Sequence, residues 1–383
     1  MGFAMIAPMF SIPPMKHILE TELLLTHTQT SLLFTIPVFM LVVLAIPGGL
    51  LTDRIGIRKA AGIGAIIIVL GTLLRGTATN FPTLLAFTFV HGIGFGLVFP
   101  NLPKLVSAWV PREKAGMATG IFVSGLVLGN AVPIALTIPL VFPVTNTFQG
   151  TFFIWGIPSV IATIVWWTLI KDRPDSSTPD KPPSQNNVPL RQLLQNKNLW
   201  LVAILFLLNN FFFFTWAEES PALMMLKGAT PELATIIASV TMWVAVPSVF
   251  FIPRLSYKLG MRKPFIWVPS FVMVFILSGA IFMSVPMSWG VMALSGIFHI
   301  VRFATIMALP VEMMPEKVVG AASGLILSVG YIGGVIGPLI GGYFFDLTGS
   351  LETSLLILIG VSIATGSVAL KIPETGSRPK LKK

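Results

Sequence analysis

The chain has no cysteine among its 383 residues. Disulfide staples and thiolate metal sites are therefore excluded. Charge is scarce too: Asp, Glu, Lys and Arg make up 10% of the residues, against roughly a quarter in a soluble domain. The four histidines, His17, His27, His91 and His299, show no metal-ligand spacing. No nucleophile, metal or phosphate-loop motif is present, so an enzyme is not expected, and neither is a metal or cofactor. No basic flank or small-residue cleavage pattern marks a cleavable signal peptide. Apolar residues fill the space left by these absences, at 54% of the chain, with a mean hydropathy of +0.87. Water is not the solvent for most of this surface.

Acidic residues number 15 against 25 Lys and Arg, giving a formal net charge of +10. Nucleic-acid binding would need basic residues clustered on a polar face between aromatic platforms. Here they sit in short connectors between long apolar runs, which is the pattern of loops on one side of a membrane. The bilayer is the expected partner, and nucleic acid is not.

A spanning helix needs about 20 mostly apolar residues. Runs of that kind cover 1–19, 28–51, 60–79, 82–107, 117–141, 149–170, 199–219, 231–253, 264–285, 289–313, 318–345 and 352–371. The expected fold class is therefore all-α, with 12 transmembrane helices. A polar, Pro- and Ser-rich linker, 171–198, separates a six-helix bundle over 1–170 from a second over 199–383. Lys and Arg concentrate on cytoplasmic loops. With the linker in the cytoplasm, only Lys16, Arg75 and Lys227 fall at the opposite ends and Arg302 inside a span. Subtracting these four from the 25 leaves 21 on the linker side, including Arg112, Arg254 and the basic tail. A multi-pass cell-membrane (inner-membrane) protein with both termini cytoplasmic is expected, as a monomer. About 15 apolar residues precede Lys16, roughly 22 Å of helix at ~1.5 Å per residue. A bilayer core is about 30 Å thick, so a first helix truncated at its N-terminus is expected.

Shifting the sequence by 204 residues places IGIRK at 55–59 on LGMRK at 259–263. The same shift places the segment from Pro111 to Gly129 on that from Pro315 to Gly333, matching Gly116, Gly120 and Ser124 to Gly320, Gly324 and Ser328. One offset joining two separate regions implies two parallel six-helix halves.

Gly49, Asp53, Arg54, Gly56, Arg58 and Lys59 form a G-x-x-x-D-R-x-G-x-R-K segment that resembles the signature of the major facilitator superfamily. The resemblance covers the chain and implies that family's fold and alternating-access transport. It also implies that this cluster is a cytoplasmic gating latch. Tyr257 stands at the position matching Asp53, so no equivalent latch is expected in the second half. Gly125 and Gly129 in the fifth span, and Gly330, Gly333, Gly337 and Pro338 in the eleventh, are expected to serve helix packing and hinging. Asn130 replaces the proline of the family's antiporter-associated motif, so antiport is not implied. Thr35 to Leu41, Asn101 to Lys104 and Leu128 to Asn130 resemble the cyanate and nitrate/nitrite porter branch, although the arginines of nitrate porters in spans two and eight are missing.

Polar groups inside a bilayer cost several kcal/mol unless paired or wet. In the tenth span Ser295, His299, Arg302 and Thr305 recur at i, i+4, i+7 and i+10. The resemblance puts helices one, four, seven and ten around the transport route, so this stripe is expected to face it. Arg302, with His299, His91, Asn209 and Asn210, is the candidate substrate-binding set, and the expected solute is small and anionic. Proton coupling through His299 or His91 is a further expectation, with uniport as its alternative. Glu218 and Glu219 are read as solvated loop-entry residues, with a coupling-proton site or pairing with Lys227 as the alternatives, Arg75 as a structural residue able to snorkel, and Trp216 and Trp289 as interfacial. The alternatives are export of an amphipathic or aromatic compound past Phe211 to Phe214, or a receptor that retains the fold.

Overall fold

The computed structural model describes residues 1–102, 109–110, 114–170, 194–314 and 318–376. Lys104, Pro111, Arg112, Pro315, most of the linker (171–193) and the basic tail from 377 lie outside the described residues. Every regular element among those described is helical, and apart from short turns at Phe99–Asn101, Thr137–Val141 and Phe142–Thr145 they are α1 Gly2–Phe10, α2 Ile12–Leu23, α3 His27–Ile55, α4 Ile57–Arg75, α5 Phe81–Val98, α6 Ala115–Leu136 and α7 Phe148–Leu169, followed by α8 Lys197–Leu226, α9 Pro231–Trp243, α10 Ala245–Leu259, α11 Pro264–Ala280, α12 Val285–Met313, α13 Val319–Thr348 and α14 Glu352–Ala369.

Among the described residues ten helical stretches are long and apolar enough to cross a membrane. The two expected spans outside that count have local causes. The first is broken at Ser11 into helices of 9 and 12 residues. Pro13 and Pro14 carry no N–H, so the carbonyls of Met9 and Phe10 have no donor one turn on. The ninth, α11, is 17 residues long.

Helix ends follow local chemistry. Thr26 and Gln29 form a reciprocal capping box at the start of α3, with Thr26 Oγ1 accepting from the Gln29 N–H at 3.2 Å and Gln29 Oε1 from the Thr26 N–H at 3.0 Å. The α3–α4 turn is made at Gly56, with φ +84°, and the α10–α11 turn at Gly260, with φ +63°. These glycines are 204 residues apart, and both adopt a backbone conformation that other residues avoid.

Small residues let helices meet at backbone distance. Leu207 and Phe211 of α8 occupy the space a side chain on Gly333 would need, and Phe211 and Thr215 that of Gly337. Gly129 of α6 lies against Phe3 of α1, where an added Cβ would stand 3.0 Å from the Phe3 carbonyl oxygen, and Gly125 approaches Phe3 from one turn away.

Candidate functional site

A cavity of about 340 Å³ opens where α1, α3, α5 and α6 face α8, α9, α12 and α13. Its walls are mainly phenylalanine and aliphatic side chains. The polar side chains in its lining are Asn130, Asn210, His299 and Tyr331. His299 stacks on Phe213 with ring centroids 4.5 Å apart, and its Nδ1 has no hydrogen-bond partner. The Asn210 amide donates from Nδ2 to the carbonyl oxygens of Phe206 at 3.1 Å and Gly330 at 3.3 Å. The second bond crosses to α13 at a glycine, where the two helices touch. Tyr331 meets Phe99 and Phe206 edge-on.

Of the expected stripe on α12, only His299 reaches this cavity. At about 100° per residue, the cavity-facing set (His299, Ile300, Phe303, Ala304) is centred roughly 130° around the helix from Arg302. Ser295 instead accepts the indole N–H of Trp216 at 3.0 Å, and Thr305 donates to the Val301 carbonyl at 2.8 Å. Trp216 is buried and not interfacial, whereas Trp289 is 42% exposed. Arg302 is fully buried, its guanidinium lies 4.7 Å over the Phe212 ring, and Nε, Nη1 and Nη2 all lack hydrogen-bond partners. Asn209 is likewise buried off the cavity, with both amide atoms unpartnered.

His91 also departs from expectation. It is buried on α5 against α4, its Nδ1 2.9 Å from Thr72 Oγ1 and 3.2 Å from Arg75 Nη2. Arg75 does not snorkel. It is fully buried, donates to the Pro8 carbonyl at 3.3 Å beside the break in the first helical segment, and caps the Phe152 ring at 4.8 Å.

The end of the bundle remote from the Gly56 turn is sealed by ion pairs that sequence reasoning did not anticipate. Lys16 Nζ on α2 lies 2.8 Å from Glu218 Oε1 and 2.9 Å from Glu219 Oε1 on α8, with all three side chains at most 5% exposed. Ser31 donates to Glu218 at 2.6 Å, and His27 bridges Glu20 at 2.9 Å and Glu219 at 3.1 Å. Beside them Asp346 of α13 accepts the N–H groups of His27 and Thr28 at 2.8 and 2.9 Å. Glu218 and Glu219 are thus neither solvated nor paired with Lys227, whose ammonium donates to the Ile281 carbonyl. The 204-residue offset carried the only sequence signal. It maps Lys16 to position 220, the same depth as the two glutamates.

At the opposite end, Asp53 and Arg54 are exposed. Arg58 donates to the Trp167 carbonyl at 3.3 Å and lies over the Trp167 ring, and the Trp166 indole donates back to the Arg58 carbonyl at 3.0 Å. Lys59 stands in the first turn of α4 beside it. The second repeat lacks an aspartate at 257, yet Arg262 has acidic partners from distant sequence. Its Nε and Nη2 bond Glu312 at 2.8 and 2.6 Å, and its backbone N–H donates to Glu374 at 2.6 Å.

Comparison with known proteins assigns the assembly. The family model of the Major Facilitator Superfamily matches residues 1–338 and 219–383. The chain belongs to this superfamily. It is a multi-pass membrane transporter and not an enzyme. It is 24% identical to the hexuronate transporter of Bacillus subtilis, covering 90% of this chain and 86% of that one. It is 20% identical to the cyanate transport protein of Escherichia coli, over 89% and 86% of the two chains. A crystal structure of a bacterial homolog of the human lysosomal transporter Spinster, in an inward-facing and unoccupied conformation, superposes with a TM-score of 0.79 at 16% identity, over 96% of this chain and 95% of that one.

Proposed function

We propose that this superfamily member is a secondary transporter that moves a small organic anion across the cytoplasmic membrane by alternating access. Its two six-helix halves, 1–170 and 199–383, are joined by the cytoplasmic linker 171–198, and the broken first span and short ninth complete twelve crossings. The repeated glycine turn at 56 and 260 supports the two halves. Because Lys and Arg favour the linker side, the Lys16–Glu218–Glu219 end is the outer face. This conformation is therefore closed to the outside.

The observation that carries the anion reading is Arg302. A guanidinium does not lose its proton, and this one sits in the bilayer interior with no hydrogen-bond partner. It lies about one helical turn from His299, which lines the cavity. At an effective dielectric of ~20, a buried unit charge beside the cavity contributes on the order of 1–2 kcal/mol in favour of an anion and against a cation. The hexuronate and cyanate transporters among its relatives, named for anions, agree with that sign. The apolar walls favour an anion with a carbon body. His299, and not His91, is the imidazole that meets the cavity, so proton coupling, if it uses a histidine, uses this one.

The test is uptake by proteoliposomes from a panel of carboxylates, sulfonates and inorganic anions, with and without a pH gradient. Arg302→Gln is expected to lower anion uptake at least about tenfold. Among the described residues no carboxylate bonds Arg302, so its loss strands no buried partner there. Equal uptake by variant and wild type overturns the reading. The apolar walls also favour export of a neutral amphipathic compound, and that reading predicts transport that survives Arg302→Gln.

A further inference from the structure

We propose that Asn210 determines solute specificity by presenting a fixed hydrogen-bond acceptor to the cavity, so that the anion carried bears a hydroxyl group. This deepens the anion reading above and rests on it.

An asparagine amide can be turned either way, and its neighbours decide which. Here the two atoms beside the Asn210 nitrogen are the backbone carbonyl oxygens of Phe206 and Gly330, at 3.1 and 3.3 Å. Carbonyl oxygens only accept, so the NH₂ group must face them, and both of its hydrogens are then used. Reversing the amide would set an oxygen against two oxygens. The remaining Oδ1 has no hydrogen bond within the described residues, on a side chain that borders the cavity. The close approach of α13 to α8, permitted by Gly330 and Gly333, holds this geometry.

An unpaired acceptor that faces an apolar cavity favours a solute that brings it a donor. Carboxylate, sulfonate, cyanate and nitrate groups carry acceptors only, and none of them satisfies Oδ1. A hydroxyl donates. An ammonium also donates, but the unpaired charge of Arg302 opposes it. On the facing wall, Asn130 of α6 carries a second amide without a hydrogen bond, its Oδ1 buried and unpartnered. Both walls therefore present unpaired hydrogen-bonding groups. The cavity, at about 340 Å³, lies within the roughly 300–1,000 Å³ of small-molecule sites. It is about ten times the ~30 Å³ share of one water molecule, far more than a triatomic anion fills.

The experiment compares matched anions that differ in hydroxylation: isethionate with ethanesulfonate, glycerate with propionate, and gluconate with hexanoate, alongside cyanate and nitrate. Binding to the purified full-length transporter is read by ligand-induced thermal shift. Wild type is expected to bind the hydroxylated member roughly 3–10-fold more tightly in at least one pair and the deoxy member more tightly in none. Asn210→Leu is expected to bring that ratio within about twofold. The proposal is overturned if wild type shows no hydroxyl preference in any pair, or if cyanate or nitrate binds best. The wild-type comparison decides even if Asn210→Leu does not fold. Should all anions bind alike and Arg302→Gln abolish their binding, the hydroxyl inference fails and the anion reading stands. Should Arg302→Gln change nothing while hydroxylated solutes, neutral polyols included, are still preferred, the anion reading is the one that fails. If no anion binds, both fall.

Discussion

Replacing Lys16 with methionine removes the ammonium that Glu218 and Glu219 share. In this structure, which the alternating-access proposal reads as outward-closed, these carboxylates are 1% and 5% exposed, and Ser31 and His27 are the side chains left to hold them. Removing one partner of a buried ion pair costs about 3–5 kcal/mol, because the orphaned charge stays desolvated. In an outward-open state the same carboxylates face water and lose little. The substitution therefore acts on one side of the equilibrium and shifts it toward outward-open by roughly a hundredfold to several thousandfold. The chain has no cysteine, so a single Val38→Cys on the cavity wall reports access without background. Labelling by a membrane-impermeant maleimide added outside is expected to be at least about a hundredfold faster in Lys16→Met than in its Lys16 parent. Adding Glu218→Gln and Glu219→Gln to Lys16→Met removes the stranded charges and should return the rate most of the way to the parent. An unchanged labelling rate in folded Lys16→Met, or no slowing on neutralising both glutamates, refutes the gate.

Three further outcomes follow from the geometry. His299→Gln should raise the KM for the transported anion several-fold, whereas His91→Gln, away from the cavity, should leave KM within about twofold; the reverse order in uptake kinetics refutes the placement. Gly333→Val drives a side chain into the α8 backbone at Leu207 and Phe211, and overpacking of this kind costs about 1–3 kcal/mol or more; a thermal unfolding midpoint equal to wild type would show that α13 does not rest on α8 there. Arg262→Ala removes a two-pronged contact to Glu312 whose side chains are 13% and 24% exposed, so a loss of about 1–2 kcal/mol is expected as a lower midpoint in detergent. Glu312→Gln should give a smaller shift in the same direction, and no shift in either variant refutes a stabilising role for that cluster.

The sequence by itself determined where the apolar runs fall, which connectors are basic, and that one 204-residue offset relates Gly56 to Gly260. These are one-dimensional properties, set by run length, charge count and spacing. The glycines of α13 were legible for the same reason, since small residues at helical spacing mean close packing whatever packs there. The phase of each helix was not legible. On a soluble helix the polar face marks water, but α12 has lipid on one side and protein on the other, both apolar, so its hydropathy carries no direction. The stripe through Arg302 was visible, and the side it faces was not. Pairings across the fold were hidden too. Lys16 meets Glu218 across 202 residues, and Arg262 meets Glu312 across 50, separations that no local pattern encodes. Only the tertiary structure decided that His299 meets the cavity while Arg302 lies behind Phe212, because that depends on how α12 is rotated against α8. Gly296 of α12, packed against the Thr241 carbonyl of α9, and the hydrogen bond from Trp216 of α8 to Ser295 hold that rotation.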